Sequence, residues 1–150
     1  MSYPKDLLVY INLIQNSKEV VSMLVWDKKE LQQGYYLTQK KKEETYPIDG
    51  ILLDSVKVLQ PYFGKEDINQ VSANSYSSST SKITESFAKK LMLANLGDSV
   101  TIRFSKGFDT YDQILNCGDV ILIKGEALTW KYEFIVKRNT MRTILFFRNI

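Results

Sequence analysis

From Leu128 to Lys137 polar and apolar residues alternate along the chain. Leu128, Trp130, Tyr132, Phe134 and Val136 fall on one side of this run; Thr129, Lys131, Glu133, Ile135 and Lys137 fall on the other. A period of two, rich in aromatic and β-branched residues, predicts a strand with one buried face. Arg138-Asn139-Thr140 is a polar break of hairpin length, and Asn accepts the positive φ that such turns need. Met141 to Phe147 reads as the returning strand. Upstream, Val100, Ile102 and Phe104 alternate with Thr101, Arg103 and Ser105, which predicts another strand. Val120 to Ile123 is a continuous apolar run that suits a central strand.

The N-terminal half reads differently. Ser2-Tyr3-Pro4 can start a helix over Asp6 to Ile14, although Val9, Tyr10 and Ile11 suit a strand equally. Val20, Val21, Leu24, Val25 and Leu31 have helical spacing, with Ser17 as N-cap and Gly34 as C-cap. A hairpin of 6–14 with 19–26 is the rival reading. Asp49 caps a helix to about Gln60 with Leu52, Leu53, Val56 and Leu59 on one face, and Pro61 ends it. Thr80 or Ser81 caps another helix to about Asn95, with Ile83, Phe87, Leu91 and Ala94 as its stripe and Gly97 as its C-cap. A short helix near Tyr111 to Leu115 fits the connection that follows. Flexible loops are expected at about 38–47, where Lys40 to Glu44 is self-neutralising, and at 72–81, where SANSYSSSTS offers little apolar area to offset its ordering entropy. The expected architecture is one α+β domain spanning 1–150. N-terminal helices pack on one face of a C-terminal antiparallel sheet of about four strands, a meander of 99–105, 119–124, 128–137 and 141–148.

Composition narrows the chemistry. The chain has 150 residues, 44% apolar and 25% charged, as expected of a soluble globular domain. Leu7 to Ile14 follows Asp6, contains Asn12 and has no small-residue cleavage site after it, so it is not read as a signal peptide; no run is long enough to cross a membrane. A single cysteine, Cys117, leaves no disulfide framework and favours a cytoplasmic setting. There is no histidine, which removes the commonest general base, the commonest zinc ligand and every Ser-His or Cys-His nucleophile arrangement. No glycine-rich phosphate loop, nucleophile elbow or calcium loop occurs. Asp27-Lys28-Lys29 is the one close acid-x-Lys triplet, and it reads as a surface charge cluster. Glu43-Glu44 and Glu66-Asp67 sit in expected loops, without apolar neighbours to raise one pKa. Cys117, in Asn-Cys-Gly, reads as a turn residue rather than a nucleophile. These features lead to an expectation of no metal, no cofactor and no enzymatic activity.

Charge placement supplies the remaining handle. Residues 1–98 carry twelve Lys/Arg and twelve Asp/Glu, whereas 99–150 carry eight and five, so the net +3 arises in the expected sheet. Arg103, Lys131, Lys137, Arg138, Arg142 and Arg148 form the candidate partner-binding face, with Tyr76 as an anchor from the loop. An exposed basic sheet steers an acidic partner. The expected function is therefore a non-enzymatic protein-binding domain, an inhibitor or immunity-type protein that neutralises a partner such as a toxin. The alternative is a nucleic-acid-binding module using the same face. Against both stand Glu133, which interrupts the pattern, and Ile144 and Phe146, which share the arginine side. No membrane partner is expected.

Overall fold

A strand that must bury both faces is apolar at every position, not at alternate ones. Three segments of this chain meet that condition: Leu91–Leu96 apart from Asn95, Val120–Ile123, and Ile144–Phe147. In the computed structural model, which describes residues 3–24, 32–36 (backbone only), 48–85 and 88–150, they are the central strands of one sheet. Among these residues the elements are β1 (Leu7–Tyr10), α1 (Ser17–Ser22), β2 (Gln32–Tyr36), α2 (Gly50–Phe63), β3 (Gln70–Tyr76), β4 (Lys90–Gly97), β5 (Val100–Lys106), β6 (Asp109–Leu115), β7 (Val120–Lys124), β8 (Lys131–Ile135) and β9 (Arg142–Arg148).

Two antiparallel sheets result. The larger has the order β1-β7-β4-β9-β3-β2 and the smaller the order β6-β5-β8. After β3 the chain crosses back and forth between them, which is the route of a double-sheet jelly roll. The large sheet separates two cores. On its outer face Met92, Ala94, Leu96, Val120, Leu122, Leu145 and Phe147 meet Leu52, Val56, Leu59 and Phe63 of α2. On its inner face Leu91, Leu93, Ile121, Ile123, Ile144 and Phe146 meet Ile102, Phe104, Trp130, Tyr132 and Phe134 of the small sheet.

Segment 79–83 closes the sandwich along the outer edge of β8. Thr80 N donates to Phe134 O at 3.1 Å, and Phe134 N donates to Thr80 Oγ1 at 3.0 Å. Ile83 and Tyr132 exchange backbone hydrogen bonds at 2.7 and 2.9 Å. Val136 N donates to Ser79 Oγ at 2.9 Å. This strap gives β8 a partner on its second edge, leaving fewer open backbone groups to attract another chain.

The expected helices-on-a-meander architecture is therefore replaced. The stripe expected from 80 to 95 divides between the strap, which holds Ile83, and β4, which holds Leu91 and Ala94; Phe87 lies outside the described residues. A strand buried on both faces presents apolar residues at every spacing, helical ones included. Segments 128–137 and 141–148 hold the strands β8 and β9, with Leu128 and Thr129 instead ending a 3-10 turn over Gly125–Thr129, but the two strands are not a hairpin: β8 pairs with β5 in the small sheet, while β9 lies between β4 and β3 in the large one. Asn139 does take the expected positive φ, at 59°. Residues 6–14 hold β1, the helix near 19 is confined to Ser17–Ser22, Gly34 lies in β2, and Tyr111–Leu115 belongs to β6. Residues 72–76, expected in a loop, are the paired part of β3. The 38–47 loop lies outside the described residues.

The helix after Asp49 is present and runs two residues beyond Pro61, to Phe63. Its exit is tied by Gln60, whose amide donates to Gly64 O and Glu66 O and accepts from Ile68 N. Trp130 lies inward, 1% exposed, and Lys131 outward, as the alternation requires.

Two predictions follow from this packing. Phe134 is fully buried between Tyr76, Tyr132 and Phe146. Phe134→Ala should cost about 3–5 kcal/mol in chemical denaturation; a loss within experimental error of zero would contradict the inner core. Glu126 accepts from Trp130 Nε1 (3.0 Å), Lys5 N (2.9 Å) and Lys106 Nζ (3.3 Å), and these bonds hold its carboxyl below the ordinary 4.5. A depressed acid stabilises the fold above its unfolded pKa and loses that contribution as pH falls through the folded value. The Trp130 indole N–H resonance should accordingly shift in acid below that ordinary value, and the shift should be missing in Glu126→Gln.

Candidate functional site on the inner wall of β3

A sheet face inside a sandwich is expected to be apolar, because burying an unsatisfied polar group is costly. Strands β4, β7 and β9 follow this rule over most of their inner faces. β3 does not. Val71 and Ala73 point to the outer core, so Ser72, Asn74 and Tyr76 project to the inner side, each only partly buried. The large sheet has six strands to the small sheet's three, and Tyr76 of β3 packs against Phe134 of β8.

The polar groups converge on Arg148. It belongs to β9, and its Nε donates to Glu85 Oε2 at 2.8 Å; the two side chains are 13% and 2% exposed. Arg148 also donates from Nη1 to Ser72 Oγ at 3.3 Å, and its guanidinium lies 5.4 Å from the Phe146 ring centroid. Glu85 comes from the chain directly after the strap. Asn74 Nδ2 donates to Tyr76 Oη at 3.2 Å, and the Tyr76 ring packs 5.0 Å from that of Phe134. Burial raises the Tyr76 pKa. Burial, reinforced by the Glu85 charge, raises that of Tyr132. Both phenols are therefore neutral donors near neutral pH. One cation, one carboxylate, the Tyr76 phenol, a hydroxyl and an amide thus lie together, with the Tyr132 phenol buried on the facing sheet. Such a set can orient a small polar molecule through directed hydrogen bonds and one charge.

The candidate basic face does not exist as one surface. Arg103 and Lys131 lie on the outer side of the small sheet. Arg103 is held by Asp112 through bonds of 2.8 and 3.0 Å, and Glu133 is its neighbour on the other strand. The Asp112 bond lowers the acid's pKa and raises that of the arginine. Lys137 and Arg138 are exposed in the connection to β9. Arg142 is buried, 1% exposed, donating to Tyr76 O (3.0 Å), Asp98 O (3.4 Å) and the Thr140 hydroxyl, and burial lowers its pKa. Of the seven, Tyr76 and Arg148 are on the partly exposed inner wall, and Arg142 is on the same face of β9 but is buried and bonded to the Tyr76 carbonyl. Ser72, Asn74 and Glu85 were not anticipated. The alternation of Val71 and Ala73 with Ser72 and Asn74 was the available signal for the first two; Glu85 carries none. Of the acid pairs, Glu66 is on the surface with Lys90 at 2.8 Å. Asp27-Lys28-Lys29 and Glu43-Glu44 lie outside the described residues. Cys117 is exposed and its Sγ accepts from Gly97 N at 3.3 Å.

No protein-family model matches the chain, and no curated protein matches it in sequence. Solved structures do match. OsALKBH1 superposes with a TM-score of 0.70 at 9% identity, over 99% of this chain and all of that one. Hydroxypropylphosphonic acid epoxidase from S. wedmorenis, in complex with fosfomycin, gives 0.43 at 8% identity over 53% of this chain and 43% of that one. Streptomyces albus HEPD, with 2-hydroxyethylphosphonate and Fe(II) bound, gives 0.39 at 12% over 53% and 17%. The likeness to OsALKBH1 is one of fold: two antiparallel sheets in a jelly-roll-like arrangement. It overturns the α+β expectation and removes the basis of the inhibitor or immunity reading. The non-enzymatic expectation is withdrawn with it: it rested on absent histidine and absent sequence motifs, and local motifs did not convey the fold shared with OsALKBH1. No helix among the described residues is long and apolar enough to cross a membrane.

An iron centre of the two-histidine, one-carboxylate type does not fit this chain. It contains no histidine, and among the described residues no three Asp, Glu or Cys side chains come together as a metal site. Glu85, a carboxylate on the inner wall, is bonded to Arg148. Anaerobic titration with Fe(II) or Co(II) should therefore reveal no stoichiometric site by metal analysis after desalting. One tightly held equivalent per chain would contradict this assignment.

Proposed function

We propose that this chain is a small-ligand-binding domain of jelly-roll-like fold, which holds a polar ligand against Ser72, Asn74, Tyr76 and Arg148. The observation that carries the reading is the polarity of the inner wall on β3 where the neighbouring strands are apolar. Hydrogen-bonding groups inside a sandwich are costly unless protein, water or a ligand meets them; Ser72 meets Arg148 and Asn74 meets Tyr76, and each keeps further hydrogen-bonding capacity. These side chains are partly exposed, so a small molecule can reach them. Phe134 and Phe146 are buried behind them and back the Tyr76 ring and the Arg148 guanidinium. Polar groups beside packed apolar side chains are a usual composition of small-molecule sites.

The test is an NMR titration of the full chain with small alcohols, amides, amino acids and carboxylates. At least one compound should shift the Asn74 side-chain amide and the Ser72 and Tyr76 backbone amides in a saturable way. Asn74→Leu should weaken that compound about tenfold, the scale of one lost neutral hydrogen bond. If no compound perturbs the wall, or if all perturbations fall elsewhere, the reading fails.

A further inference from the structure

Asn74 and Tyr76 are bonded to each other on the inner wall, and that bond uses only part of what each can do. Asn74 Nδ2 donates to Tyr76 Oη at 3.2 Å, so the phenol accepts and its own proton is left to donate. Asn74 Oδ1 has no partner among the described residues, and it belongs to a partly exposed side chain. A half-turn of the amide exchanges the roles, the phenol then donating to Asn74 Oδ1, and the pair still presents a donor and an acceptor. Arg148 donates to Ser72 Oγ, so the Ser72 proton is a further free donor. The Arg148 charge is balanced by the Glu85 carboxylate at 2.8 Å.

We infer that the wall recognises an uncharged amide, primary or in a lactam ring, whose carbonyl takes the Tyr76 proton and whose N–H meets Asn74 Oδ1. This rests on the reading of the inner wall as a ligand site and adds the chemical class of the ligand. The physical argument is complementarity of donors and acceptors. A carboxylate offers acceptors only. It would set an anionic oxygen against Asn74 Oδ1 and bring a charge to a wall whose ion pair is already balanced. An ammonium offers donors only and would face the Tyr76 and Ser72 protons. A hydroxyl carries both functions on one atom, whereas Asn74 and Tyr76 offer theirs from two side chains, as an amide does from two atoms. Each neutral hydrogen bond contributes modestly, so selectivity arises from the polar atom that a wrong ligand leaves unpaired.

The experiment titrates the full-length chain, as wild type and as Asn74→Leu, with compounds matched in ring size. They are 2-pyrrolidone, N-methyl-2-pyrrolidone, cyclopentanol, cyclopentanecarboxylate and cyclopentylammonium, all at constant ionic strength. The readouts are the Ser72 and Tyr76 backbone amides and, in wild type, the Asn74 side-chain amide. 2-Pyrrolidone should bind most tightly of the set. N-methylation removes the donor and keeps the carbonyl, and it should weaken binding about tenfold, the scale of one neutral hydrogen bond. That ratio should fall to about one in Asn74→Leu, where the acceptor is gone. The wild-type series decides the class of ligand by itself should the variant not fold. If the alcohol or either ion binds as tightly as 2-pyrrolidone, or if N-methylation changes nothing, the amide assignment is wrong and the ligand site stands. A ratio that persists in Asn74→Leu overturns the assigned Asn74 contact. If no compound perturbs the wall, both the assignment and the site are wrong.

Discussion

Burial of the large sheet on both faces is the constraint on which the rest of this fold depends. Strands β4, β7 and β9 carry apolar side chains toward α2 on one side and toward the small sheet on the other. A strand in that position cannot alternate, and a one-residue slip would exchange its two sets of side chains between cores of different shape. The arrangement also determines where polar residues can go. On β3 and at the end of β9 the inner face turns from Ile144 and Phe146 to Ser72, Asn74, Tyr76 and Arg148, next to the strap and β8.

The strap and the Arg148–Glu85 pair belong to one closure. Backbone hydrogen bonds hold 79–83 to β8, and the ion pair draws the following residues to β9 in the opposite sheet. A largely buried ion pair is weak evidence for stability, because desolvation offsets much of its attraction. Its location is more informative than its strength. It lies beside the polar inner positions Ser72, Asn74 and Tyr76 of β3.

Much of the fold was legible from local pattern. A strand within 128–137, the buried Trp130, Tyr132 and Phe134, the strand near 99–105, the run at Val120–Ile123 and the helix after Asp49 all follow from spacing, although 128–129 belong to a 3-10 turn. What local pattern could not convey was pairing. Arg138-Asn139-Thr140 has the length of a hairpin turn, yet it carries the chain from one sheet to the other. Leu91 and Ala94 fit a helical stripe because a strand buried on both faces fits every stripe. Ser72 to Tyr76 was too polar to read as a strand, since its register is supplied by β9 and β2. The site was legible only in fragments: Tyr76 and Arg148 stood out by chemistry, but Glu85 reaches Arg148 across 63 residues. The basic surplus was visible in the sequence, whereas its neutralisation by Asp112 and Glu133 depends on cross-strand register.

The fold is shared with OsALKBH1, and the chain lacks the histidines of a two-histidine, one-carboxylate iron centre. The proposed site is organised around the Arg148 guanidinium, which joins Glu85 and Ser72. The most direct measurement is therefore the Arg148 Nε–H signal in a nitrogen–proton correlation spectrum of the free protein at neutral pH. A buried guanidinium bonded to Glu85 should give a resolved, solvent-protected cross-peak, displaced from the position of exposed arginines and moved by Glu85→Gln. A signal averaged with the exposed arginines and indifferent to Glu85 would contradict the account.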